Sequence, residues 1–202
     1  MIRVDDTHMA PRIVLVRPKA AENVGASARA MKNFGLQEMV LVAPRCRRDH
    51  RAYALASHAG DVLDNAQEVA TLVEALDGCR YALATSGRTR SDEPTPTLEP
   101  TEGVAALPSE GAAIVFGPED HGLSNQDLDH CQGVVTIPTD AYASVNLAQA
   151  VNILCYEWHA GIRAVGAHAD PKAGPAERAI QEAETGTGSA SRSGESVLPD
   201  GF

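Results

Sequence analysis

Tyr142-Ala143-Ser144-Val145-Asn146-Leu147-Ala148-Gln149-Ala150 sets small polar residues directly before an apolar run that keeps helical spacing to about Ala160. A simple buried helix needs no polar groups there. The design stands twice more upstream, in Asn23-Val24-Gly25-Ala26-Ser27-Ala28-Arg29-Ala30 and in Phe116-Gly117-Pro118-Glu119-Asp120-His121-Gly122-Leu123. Three polar loops at the exits of strand-like runs point to one composite site at one edge of a sheet.

Working outward, the runs Arg12–Val16, Met39–Val42, Tyr81–Ala84, Ala112–Phe116 and Val134–Ile137 read as strands. Between them, residues 26–33 form a small-residue helix stopped by Gly35, after a polar turn over 19–25. Residues 51–57 predict a short Ala-rich helix, and Val62-Leu63 a brief apolar segment. Val69, Leu72, Val73 and Leu76 have helical spacing, ending near Gly78. Pro94, Pro96, Pro100 and Pro108 make 91–111 mostly loop, with a short turn over 103–107. Ser124 and Asp127 match a capping box for a short helix over 123–128. Strand alternating with helix predicts the α/β class: a mostly parallel sheet flanked by helices, with chemistry at the strand ends.

The 202 residues suit one domain of ordinary size. Hydrophobic residues make up 44% and aromatics only 4%, so Val, Leu, Ile and Ala must supply the core. No segment reaches the roughly 18 apolar residues of a membrane span, and a cytoplasmic protein without membrane association is expected. Cys46, Cys79, Cys131 and Cys155 are too widely spaced for a metal knuckle and too few for a disulfide framework, so they read as reduced thiols with no metal site.

The formal charge of -10 conceals an asymmetry. Residues 1–90 hold 13 Lys and Arg against 10 Asp and Glu, a surplus of three; residues 91–202 hold 4 against 17, a deficit of 13. Arg45, Arg47, Arg48 and Arg51 form the densest basic run, with Arg88 and Arg90 a second group. Such a local patch can meet a phosphate backbone despite an acidic whole. Beyond Gly161 the chain turns rich in Ala, Gly, Pro, Ser and Glu. This divides it into a folded domain over 1–164 and a tail over 165–202, disordered or partly helical around 177–183.

Each polar position has a structural reading. Gly25 lets the backbone turn closely, Asn23 caps the helix that follows, and Ser144 and Asn146 cap the helix from Leu147. Glu119 serves as a base, a cation partner or a hydrogen-bond acceptor. A Gly-x-Ser-x-Gly elbow, a Gly-x-Gly-x-x-Gly turn and a Walker A loop are all missing, which argues against hydrolase, Rossmann oxidoreductase and P-loop chemistry.

In order and combined length, the segments 12–35, 114–124 and 137–150 resemble the three motifs of the SpoU/TrmH branch of the SPOUT RNA methyltransferases. The similarity is greatest to the TrmJ-type tRNA ribose methyltransferases. The resemblance implies the α/β-knot fold with a C-terminal trefoil knot, which ordinary topology rules would disfavour. It also implies a homodimer, S-adenosylmethionine as cofactor, and structured RNA, above all tRNA, rather than DNA as partner. Cofactor positions carry over to Thr85, Ser86, Gly117, Ile137, Ser144, Val145, Asn146 and Leu147. Arg29 carries over as the catalytic residue, with Asn23, Glu119, Ser144 and Asn146 organising the site and Tyr142 on the substrate side. The guanidinium stays protonated, so Arg29 is expected to anchor phosphate and stabilise charge on the ribose oxygen rather than act as a base.

The expected product is a 2'-O-methylated cytidine or uridine at tRNA position 32. Alternatives are a ribosomal RNA 2'-O-methyltransferase, a noncatalytic RNA-binding homodimer and, more remotely, a small-molecule methyltransferase. The subgroup commonly carries a C-terminal extension, whereas about forty biased residues follow Gly161 here. RNA affinity is therefore expected to rest more on the dimeric catalytic surface, or the target to be another structured RNA.

Overall fold

The computed structural model describes residues 10–87, 97–142 and 144–169. The strands are β1 Arg12–Val16, β2 Met39–Val42, β3 Gln67–Val69, β4 Tyr81–Thr85, β5 Thr97–Leu98, β6 Ala112–Phe116 and β7 Gly133–Val135. The helices are α1 Ala21–Asn33, α2 His50–Ala56, α3 Gly60–Asn65, α4 Leu72–Ala75, α5 Pro100–Ala105, α6 Asn125–Leu128 and α7 Leu147–Ala169. Among the described residues the strands form one sheet in the order β3-β2-β1-β6-β4-β7-β5, every pairing parallel. A sheet covered on both faces needs strands apolar throughout, and β2 and β6, with β1 after Arg12 and β4 before Thr85, have that character. Alternate residues divide between two cores. Ile13, Leu15, Leu41, Ile114 and Phe116 pack with α1, α2, α3 and α7, while Val14, Val16, Val40, Val42 and Val115 pack with α4 and α6. Each such fully buried side chain contributes about 1.5–3 kcal/mol, which makes this double face the main source of stability.

Several expectations need correction. Helix α1 begins at Ala21, so Asn23 and Gly25 lie inside it rather than in a turn, and its N-cap is Ala20, not Asn23. Gly25 serves a close approach between helices: a methyl there would fall well inside 3.0 Å of the Ala52 backbone of α2. The helix predicted from Val69 starts at Leu72, because Val69 pairs with Val42 as the edge strand β3. Pro100 opens α5 instead of lying in a loop. Proline is favoured at the first helical position, and Glu99 and Glu102 complete a capping box. Gly161 does not end α7, which runs to Ala169. Ser124 and Asp127 form the expected capping box of α6.

The four cysteines are free thiols. Burial pushes Cys131 and Cys155 up to about 12, so both stay protonated packing groups. No described helix is long and apolar enough to cross a membrane. Arg88, Arg90, Ala143 and the segment 177–183 lie outside the described residues.

Parallel strands bring all their carboxyl ends to one edge. There β1 leads into α1 on one face of the sheet, while its neighbour β6 leads into α6 on the other. A crevice opens where neighbouring connections diverge in this way.

Candidate active site

A cleft of about 330 Å³ lies at this edge. Thr85 and Ser86 line it from the end of β4, Gly117 to Leu123 from the end of β6, Ile137 from beyond β7, and Ser144, Val145 and Leu147 from the approach to α7. Thr85 Oγ1 donates to the Val115 carbonyl (3.1 Å) and the Ser86 amide to the Val135 carbonyl (2.9 Å), fixing the β4 exit against both neighbouring strands. Gly117 is required by packing. A methyl there would fall well inside 3.0 Å of the Gly122 and Leu123 backbone, which closes the loop back on itself. Gly117→Ala is therefore expected to open this wall and weaken binding of any ligand in the cleft by about tenfold or more, the equivalent of roughly 1.4 kcal/mol; calorimetric titration checks it.

The carboxylate of Glu119 sits beside the start of α1. It accepts from the Lys19 amide (2.9 Å), the Ala20 amide (3.0 Å) and Asn23 Nδ2 (2.9 Å). Ala20 cannot cap α1 with its own side chain, so Glu119 supplies both the acceptor and the negative charge that the helix start favours. Asn23 Oδ1 in turn accepts from Asn146 Nδ2 (3.0 Å), and Asn146 Oδ1 accepts from the Ala148 amide (2.9 Å) at the start of α7. An acceptor-only carboxylate at one end and a backbone donor at the other fix both amide orientations. The chain Glu119–Asn23–Asn146 thus joins all three motif segments.

Burial raises the Glu119 carboxyl, but hydrogen bonds from Asn23, its own amide and the amides of Lys19 and Ala20 more than offset this and hold it below its ordinary 4.5. It is an engaged acceptor, not a base. Because the folded value is depressed, its contribution to stability is complete above the ordinary value and is lost as pH falls through the folded one. Glu119→Gln leaves an amide facing one of the donors. The variant should be destabilised by about 1–2 kcal/mol at neutral pH, with the gap to wild type closing below pH 4.5; urea midpoints against pH measure it.

Arg29 does not share the cleft with Thr85 and Ser86. It is exposed on α1 in a more open neighbouring cleft of about 650 Å³, with Asn23, Asn146, Asn152 and Leu55. Val145 borders both clefts. Among the described residues the Arg29 side chain has no hydrogen bond or ion pair. Asn146 caps α7 as expected, while Ser144 is exposed at the rim of the inner cleft. Tyr142 is 79% exposed and lines neither cleft.

One organising pair escapes sequence reading. Arg17, just past the end of β1 with φ 51°, holds Asp127 through Nη1 and Nη2, and Asp127 also accepts from the Ser124 amide (2.8 Å) and hydroxyl (2.7 Å). Burial raises the Asp127 carboxyl, yet Arg17 and Ser124 bring it below the usual range. With the Lys19–Asp120 pair, this fastens the β6 loop to the β1 exit. The only sequence signal was the capping box, which accounts for Ser124 but not for Arg17.

Residues 10–156 match the SpoU rRNA methylase family. The chain belongs to this family. Over 152 residues, 72% of the chain, it is 47% identical to the tRNA (cytidine/uridine/adenosine-2'-O-)-methyltransferase TrmJ of Pseudomonas aeruginosa, covering 59% of that protein. It is 48% identical over 151 residues to the tRNA (cytidine/uridine-2'-O-)-methyltransferase TrmJ of Yersinia enterocolitica, covering 58% of it. The chain thus spans under two thirds of the length of these relatives. The crystal structure of TrmJ from Z. mobilis superposes with a TM-score of 0.71 at 35% identity, over 88% of this chain and 78% of that one. A probable methyltransferase from Bordetella pertussis gives 0.70 at 34% identity, over 77% and 97%. In this SpoU-family chain the matched region ends within α7, so it contains both clefts and every residue of the Glu119–Asn23–Asn146 chain.

Proposed function

We propose that this protein is a homodimeric methyltransferase that modifies the ribose 2'-hydroxyl of cytidine or uridine 32 in the anticodon loop of tRNA, with S-adenosylmethionine as methyl donor. The observation that carries this reading is the Glu119–Asn23–Asn146 chain, which ties a glycine-walled cleft to the cleft holding Arg29. The relatives named above as tRNA 2'-O-methyltransferases support the substrate class and the target atom. Position 32 rests on the motif resemblance.

The inner cleft fits the cofactor on three counts. Its volume lies in the roughly 300–1,000 Å³ range of small-molecule sites. Gly117 lets backbone approach closely, and the wall carries the Glu119 and Asp120 carboxylates against the Lys19 ammonium that pairs with Asp120, a net negative lining that suits a cationic ligand. Thr85, Ser86, Gly117, Ile137, Ser144, Val145 and Leu147 would hold it. When bound, S-adenosylmethionine supplies an electrophilic methyl group on a sulfonium.

The remaining work falls to the chain. Arg29 anchors the backbone phosphate beside the target ribose and stabilises the negative charge that develops on its oxygen. A guanidinium is no base and Glu119 already accepts three hydrogen bonds, so the hydroxyl proton passes to solvent or to another acceptor. Asn23 and Asn146 hold the two clefts in register, and the substrate-side role of exposed Tyr142 rests on the motif resemblance alone. The 2'-hydroxyl target distinguishes RNA from DNA.

The dimer reading draws support from apolar side chains exposed on two helices that line the Arg29 cleft: Leu55 on α2, and Tyr156 and Ile162 on α7, with Tyr156 edge-on to Phe34 at 5.8 Å. The knot reading draws support from β7, which lies between β4 and β5 although the chain lays those strands down first. Residues 1–164 serve as the catalytic domain of a cytoplasmic enzyme and 165–202 as a tail.

The test is incubation with labelled S-adenosylmethionine and total unmodified RNA, followed by mapping of the methyl group by nucleotide-resolved mass spectrometry. A ribose methyl at tRNA position 32 is expected. A ribosomal site would keep the chemistry and replace the substrate, and binding of RNA and cofactor without transfer would establish a noncatalytic RNA-binding protein.

A further inference from the structure

The run Arg45, Arg47, Arg48 and Arg51 looks uniform in sequence, but the fold divides it. Arg48 Nε pairs with Glu68 (3.0 Å), and its Nη1 donates to the Leu63 and Ala66 carbonyls at the end of α3. Arg51 pairs with Asp49 (2.9 Å), the cap of α2, and with Glu22 (3.5 Å) on α1. Arg45 and Arg47 are exposed, and their side chains have no hydrogen bond or ion pair among the described residues. Their loop is tied to the site at both ends. The Arg45 amide donates to the Pro18 carbonyl (2.9 Å), one residue before the Lys19 that bonds Glu119, and Arg51 reaches Glu22, which lines the Arg29 cleft.

We infer that Arg45 and Arg47 form a phosphate-contacting rim that extends the Arg29 cleft along the RNA backbone, while Arg48 and Arg51 only hold that rim in place. The inference rests on the RNA-methylating reading and names the residues that position the substrate. Like Arg29, these two cations have no side-chain partner among the described residues, and they sit in the loop between the carboxyl end of β2 and the start of α2. Arg80 is exposed and its side chain also has no partner among the described residues, but it precedes β4 at the opposite edge. A contact to phosphate releases counterions and so makes affinity fall with salt, by roughly 0.7–0.9 in the log–log slope per phosphate.

The experiment measures affinity of the full chain for an unmodified tRNA transcript between 50 and 200 mM salt, for wild type, R45Q/R47Q, R48Q and R80Q. Two lost contacts should flatten the slope by about 1.4–1.8, so that over this fourfold range wild type loses roughly tenfold more affinity than R45Q/R47Q. R80Q should keep the wild-type slope. R48Q should keep it as well but melt at a lower temperature, whereas R45Q/R47Q should melt like wild type. An unchanged slope in R45Q/R47Q overturns the inference while leaving the RNA reading intact. A wild type that binds tRNA without salt dependence, or not at all, overturns both.

Discussion

Arg29→Ala is expected to slow methyl transfer by about 10²- to 10³-fold, the loss that follows removal of one preorganised charge-stabilising donor. Cofactor affinity should stay within about twofold, because a cofactor in the inner cleft does not meet Arg29. Stability should hold as well. Arg29 is exposed between Ala28 and Ala30, and alanine is the best helix former at such a position. Single-turnover transfer, calorimetric cofactor titration and thermal melting separate these quantities. Arg29→Lys keeps the charge but not the planar fork, so partial recovery would indicate that phosphate geometry matters beyond charge. Unchanged transfer in Arg29→Ala would remove this residue from the mechanism.

Gly25→Ala should have the largest effect on folding. By helix propensity alone the change would stabilise α1 by about 1 kcal/mol. Against this stands overlap with the Ala52 backbone, which no rotamer change can relieve and which costs about 3 kcal/mol or more at the upper end of overpacking effects. The clash wins. A net loss of about 2–3 kcal/mol lowers the melting temperature of a chain of this size by roughly 4–12 °C. Gly161→Ala is the matched control: nothing lies within 4 Å of a methyl there, so only the propensity gain remains and melting should rise. Equal effects at the two glycines would show that α1 and α2 can separate freely.

The strands that carry both cores were legible because each is an unbroken apolar run, a pattern that burial on two faces imposes. The edge strands were not. Gln67-Glu68-Val69 and Thr97-Leu98 have little apolar signal, and only pairing with β2 and β7 makes them strands. The start of α1 was misplaced because its stabilising acceptor is a distant glutamate rather than a local cap. The site's polar residues were readable as a set, but their division between two clefts was not, since it depends on how α1 and α7 pack. Charge was the least legible property. Arg17, Arg48 and Arg51 look alike as surface cations in sequence, yet the fold uses each in an ion pair between elements, Arg51 while still exposed.

The bond between Glu119 and the start of α1 spans about a hundred positions of chain. On a ribosome adding about 5–20 residues per second, α1 is made some 5–20 seconds before the side chain that completes its first turn. Through that interval the nascent helix carries its positive end bare, next to the residues that later align the two clefts. The edge that carries both clefts therefore matures late, and a chain stalled before residue 119 would lack the acceptor that completes the first turn of α1.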